Sequence, residues 1–192
     1  MRTFVVGCNH RSAPVEKREK IAFGEAAVPT ALESFKRQFP EAEVVLLSTC
    51  NRVEFYVSRP MHGRPRIDET IAFIGEFHGI EMQEFADALY VHEDIQAVRH
   101  LLRVASSLDS MVLGESQIVG QTRDAYEAAR TAGTVGRQLG PLFQQALAVA
   151  KTIHATTGIA TGRLSVGSTA VDLARQIFSH FADKTVMMVG AG

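Results

Sequence analysis

The sequence predicts an α+β fold, a ferredoxin-like antiparallel sheet with helices followed by a helical layer and a long helix. Up to residue 93, β-prone runs and helical stripes alternate in the order strand, helix, strand, strand, helix, strand; from residue 94 onward apolar residues recur mainly at helical spacing. The chain has 192 residues, 46% hydrophobic and 21% charged, which suits one large or two small domains with a real core and excludes disorder, collagen and coiled coil.

Residues 3–8 are β-prone, and residues 29–39 place Ala31, Leu32 and Phe35 on one helical stripe. Residues 44–48 read as a buried strand, and in residues 53–57 Val53, Phe55 and Val57 alternate with Glu54 and Tyr56 as a strand with one buried face. Thr49-Cys50-Asn51-Arg52 is then a turn between two strands. Residues 59–66 hold two prolines, a glycine and three arginines, and read as an exposed basic loop. A helix over 67–78 and a strand over 88–91 complete the pattern. In this topology the first and second strands are parallel with the third between them, so the 7–10 and 49–52 loops meet at one sheet edge.

Further on, Ile95, Val98, Leu101, Leu102, Ala105 and Leu108 share one helix face, a second helix runs from about 115 to 132, and a longer one spans about 136–156. Residues 109–114 form a loop suited to lining a cleft. Residues 165–182 suggest another helix, and 184–189 a strand ending in Gly190-Ala191-Gly192. Strand and Gly-x-Gly open a dinucleotide-binding fold, so the expected organisation is a 1–160 domain, divided into 1–93 and 94–160, and a 161–192 linker helix and first strand of a truncated Rossmann domain.

The net charge is −1, but residues 1–66 hold 11 Lys/Arg against 7 Asp/Glu while the remainder is acidic, an asymmetry able to steer a polyanion to one end. No apolar run approaches a membrane span and no signal peptide is visible, so a cytoplasmic location is expected. Two cysteines are too few for a disulfide framework, and the seven histidines form no metal-binding spacing. Cys50, in a polar turn, is the strongest nucleophile candidate, against the bland reading of a packed turn residue; Cys8 reads as a packed strand end. His100 shares a helix face with Gln96 and Arg103 and reads by itself as solvated, and His10 is placed to face Cys50. Gln117 and Gln121 present two amides one turn apart, with Glu115 and Ser116 at the helix start. The charge run over 16–20 reads as a solvated face.

Taken together, Asn9-His10-Arg11-Ser12-Ala13-Pro14-Val15, Ser48-Thr49-Cys50-Asn51-Arg52 with Glu54 and Tyr56, Gly114-Glu115-Ser116-Gln117-Ile118-Val119-Gly120-Gln121 and the terminal Val189-Gly190-Ala191-Gly192 resemble the N-terminal catalytic region of glutamyl-tRNA reductases. Ser12, Val53 and Cys8 depart conservatively from the family pattern. The resemblance implies an NADPH-dependent oxidoreductase that converts glutamyl-tRNA(Glu) into glutamate-1-semialdehyde, the first step of five-carbon tetrapyrrole (porphyrin, haem) biosynthesis. It implies that Cys50 is the nucleophile forming a glutamyl thioester and that His100 matters for activity. It further implies that Thr49, Asn51, Arg52, Ser110, Glu115, Ser116, Gln117 and Gln121 hold the glutamyl group, with Arg52 toward its side-chain carboxylate and Glu115 toward its ammonium, and that Gly190, Ala191 and Gly192 belong to the NADPH site.

The resemblance also implies that full-length members are homodimers and that glutamate-1-semialdehyde aminomutase is a candidate partner. Ending inside the NADPH domain and without a dimerisation domain, this chain is expected at most to acylate and hydrolyse. A thiol hydrolase unrelated to tRNA and a non-catalytic tRNA-binding fragment are the alternatives.

Overall fold

The computed structural model describes residues 1–160, 166–178, 180–181, 184–185 and 187. Four strands, β1 (Arg2–Asn9), β2 (Glu43–Ser48), β3 (Arg52–Arg59) and β4 (Tyr90–Glu93), form one sheet in the order β2-β3-β1-β4. Every neighbouring pair is antiparallel, which makes β1 and β2 parallel across β3, as the sequence order predicts. β4 starts two residues later than expected, because Ala88 belongs to a short 3-10 turn.

α1 (Val15–Lys20) follows β1, and one face of the sheet is covered by α2 (Val28–Gln38) and α3 (Ile67–His78). Phe55 points to this side and packs edge-on against Phe23 and Phe73, with Phe35 beside it. α1, in the run read as a solvated face, buries none of its residues, and Lys17 and Lys20 pair with Asp87 and Glu84. Gly7 permits the close packing of β1 on β3, since a Cβ there would lie 2.3 Å from the Val53 carbonyl oxygen.

The other face corrects the expectation for β3. Glu54 and Tyr56 are as buried as Val53 and Phe55, because α4 (Ile95–Ala105), α5 (Gln117–Thr131) and α6 (Leu139–Thr156) cover that side. Tyr56 packs edge-on against Phe143 of α6 at 5.3 Å. The helical half is also tied to the sheet's β2 edge: Val44 and Thr134 exchange hydrogen bonds of 2.9 Å, and the Glu43 carboxylate accepts from the N–H groups of Gln138 and Leu139 at the start of α6. Buried residues from both halves form one hydrophobic core. The expected 165–182 helix is α7 (Val166–Ile177), shorter than the pattern suggested. Half of the strand expected over 184–189, and all of Gly190, Ala191 and Gly192, lie outside the described residues.

Candidate active site

β1 and β2 end at the same sheet edge, and their loops touch: Asn9 pairs with Arg52 in the register, and the His10 N–H donates to the Asn51 carbonyl at 3.0 Å. The turn is shaped by Thr49, whose Oγ1 accepts from the Asn51 and Arg52 N–H groups at 3.1 and 3.2 Å. This leaves Cys50 exposed at its tip, whereas Cys8 is fully buried and burial pushes its thiol up to about 11.

Over the turn lies the 106–116 loop, which is internally fastened. Ser107, at φ 62°, donates from its hydroxyl to the Glu115 carbonyl at 2.6 Å, and its own carbonyl accepts from the Gly114 N–H at 3.0 Å. Gly114 has φ +82°, and a Cβ there would sit 1.9 Å from the Ile159 carbonyl oxygen, so the position requires glycine on both counts. Turn, loop and the start of α5 together enclose a small cavity of about 40 Å³ lined by Thr49, Cys50, Asn51, Arg52, Ser110, Met111, Glu115, Gln117, Ile118 and Gln121. The Ser110 hydroxyl is buried without a hydrogen-bond partner among the described residues, a polar group available to whatever fills the cavity. Gln121 is shared with a larger cavity of about 590 Å³ between β2, α2 and α5, lined largely by apolar residues including Leu46, Leu47 and Ala125, with Glu25 and Asp124.

Of the expected glutamyl-holding residues, Thr49, Asn51, Arg52, Ser110, Glu115, Gln117 and Gln121 thus surround Cys50, while Ser116 is exposed at the N-cap of α5 and does not line the cavity. The His10 imidazole is not among the lining groups either; burial, then Arg11 and Arg52, lower its pKa below the ordinary value.

Arg52 is 1% exposed and already engaged. Its Nη1 donates to Glu54 Oε1 at 2.7 Å, and its Nη2 donates to the Asp109 carbonyl at 2.7 Å and to Asp109 Oδ2 at 3.2 Å. Asp109 also accepts from Asn9 and Arg11. Arg52 is therefore a strut between the Cys50 turn and the loop that carries Ser110, rather than a free carboxylate clamp. Burial opposes the charge on both Arg52 and Glu54, but each outweighs that for the other: Arg52 is held above its usual range, and the Glu54 carboxyl is pulled down to about 2 by Arg52 with help from His100 and Tyr56.

His100, taken alone in the sequence as a solvated residue, is largely buried beside Glu54, its Nε2 2.8 Å from Glu54 Oε1. It does not line the Cys50 cavity and reaches it only through the chain His100–Glu54–Arg52–Asp109. Tyr56 donates to Glu54 Oε2 at 2.6 Å, and Tyr90 donates to Oε1. Alternation alone placed Glu54 on a wet face; the signal that it is buried is the helical second half, which needs a sheet face to cover. Asp109, whose central position sequence reasoning missed, carries no local signal beyond its loop.

Among the described residues no group of His, Cys, Asp and Glu is arranged to hold a metal ion, and no helix is long and apolar enough to cross a membrane. Residues 6–157 match the family model for the glutamyl-tRNAGlu reductase N-terminal domain. The whole chain is 45% identical to a glutamyl-tRNA reductase of Alkalilimnicola ehrlichii and 43% identical to one of Pseudomonas aeruginosa, covering 42% and 45% of those proteins. The chain thus spans less than half the length of these relatives. Its fold is similar to that of the glutamyl-tRNA reductase from Methanopyrus kandleri, with a TM-score of 0.71 and 34% identity over 91% of this chain and 39% of that one.

Proposed function

This chain belongs to the glutamyl-tRNA reductase family, and on that premise we propose that it carries the acyl-transfer half of the reaction, with Cys50 as nucleophile and glutamyl-tRNA as substrate. The observation that carries the reading is the exposed thiol ringed by hydroxyl, amide and carboxylate groups, with a second, buried cysteine kept unreactive.

In the proposed step the Cys50 thiolate attacks the carbonyl carbon of the glutamyl ester. A carbon–sulfur bond forms, the bond to the 3′-terminal ribose oxygen breaks, and tRNA leaves as its hydroxyl after taking a proton. The amides of Gln117 and Gln121 and the Ser110 hydroxyl would receive the substrate's side-chain carboxylate, Arg52 would hold the loop that carries Ser110 in place, and Glu115 would face the ammonium. His100 acts at a distance, by fixing Glu54 and through it Arg52.

In the longer family members NADPH would supply the hydride that turns the thioester into glutamate-1-semialdehyde. The residues expected to touch it here, Gly190, Ala191 and Gly192, lie outside the described residues, and the described residues account for acyl transfer alone. Without reduction the thioester is open to water, so the chain should release glutamate from glutamyl-tRNA slowly, and Cys50→Ser should abolish most of that release. Equal release by both proteins would end the proposal.

A further inference from the structure

On the far side of the loop from Cys50 lies another cavity, of about 310 Å³, lined by His92, Gln96, Arg99, His100, Arg103 and Asp109. Gln96, Arg99, His100 and Arg103 fall on one face of α4, and Arg99 and Arg103 are one turn apart. Like charges at that spacing repel, and neither arginine has an ion-pair partner among the described residues. The carboxylate in the lining, Asp109, is already bound by Arg52 and Arg11, so it leaves the two guanidinium groups unbalanced. A concave surface with two free arginines and two imidazoles fits an anion with several acceptor oxygens, and a guanidinium fork matches a phosphate.

Position narrows the choice of anion. Asp109 lines this cavity and the next residue, Ser110, lines the Cys50 cavity, so the two sit on either side of one peptide unit. An aminoacyl ester is carried on the last ribose of a tRNA, and the phosphates nearest the reacting thiol are those of the single-stranded 3′ end. We infer that the Arg99–Arg103 cavity binds phosphodiester groups of the substrate's 3′ end and thereby aligns the ester with Cys50. This inference rests on the reading of glutamyl-tRNA as substrate.

The test is the salt dependence of tRNA(Glu) binding, measured with the chain, with Arg99→Ala/Arg103→Ala and with the charge-preserving Arg99→Lys/Arg103→Lys. Both arginines are exposed, so the alanine variant should retain the native circular dichroism spectrum. Each lost contact to a single strand should flatten the plot of log affinity against log salt by about 0.7, so the alanine variant should lose up to about 1.4 and the lysine variant much less. On tRNA lacking its single-stranded 3′ end, the chain and its alanine variant should behave alike. An unchanged slope on intact tRNA, or a difference that persists on the shortened tRNA, would overturn the inference and leave the parent reading standing. Failure of the unaltered chain to bind tRNA would overturn both.

Discussion

Arg52 and Glu54, two residues apart on β3, hold each other charged in the interior: Nη1 lies 2.7 Å from Oε1, and the side chains are 2% and 0% exposed. Such a pair is worth little by itself against its desolvation, but breaking it strands a charge. Glu54→Gln should therefore cost about 3–5 kcal/mol, read as a lower urea midpoint with an unchanged slope. A loss below 1 kcal/mol would mean that Asp109 alone satisfies Arg52.

The same carboxyl sets an acid limit. Glu54 is pulled from its ordinary 4.5 to about 2, so below pH 4.5 the unfolded chain takes up a proton that the folded chain refuses. Its stabilising contribution is complete above that pH and is lost as pH falls toward about 2. Unfolding midpoints followed from pH 6 to pH 3 should fall more steeply for the unaltered chain than for Glu54→Gln.

The two thiols should separate cleanly. Brief alkylation with iodoacetamide near pH 8, followed by peptide mapping, should label Cys50 and spare Cys8, which is buried and held to about 11. Denaturant should make both react. Labelling of Cys8 in the folded chain would contradict the packing of β1.

Gly114→Ala should cost about 1–3 kcal/mol, since its φ is +82° and the added methyl meets the Ile159 carbonyl. It should also reduce glutamate release from glutamyl-tRNA more than it reduces overall stability, because Ser110 and Glu115 flank it in the same loop.

The basic 60–66 loop should contribute less to tRNA binding than its composition suggests. It follows the far end of the eight-residue β3, at the sheet edge opposite the Cys50 turn, and Arg64 and Arg66 already pair with Glu69 and Asp68. Neutralising Arg64 and Arg66 should flatten the salt dependence less than neutralising Arg99 and Arg103.

The sheet order was legible because the apolar runs at 3–8, 44–48 and 53–57, and the helical stripe at 67–78, have clear periods and clean turns between them. The meeting of the 7–10 and 49–52 loops followed from topology alone, and the His10–Asn51 hydrogen bond bears it out. What alternation hid was Glu54: period two marks which residues share a face but says nothing of whether that face is wet, and here the helices beyond residue 94 cover it. The engagement of Arg52 was hidden for a different reason. Asp109 lies 57 residues away in a loop without periodicity, so no local pattern announces the pairing.

The central claim, that Cys50 accepts the glutamyl group, is tested most directly by intact-protein mass spectrometry of the chain mixed with glutamyl-tRNA in the absence of NADPH. The account predicts a single glutamyl adduct that maps to the Cys50 peptide, is absent in Cys50→Ser and disappears on treatment with hydroxylamine. An adduct on another residue, or none while tRNA binding is independently observed, would contradict it.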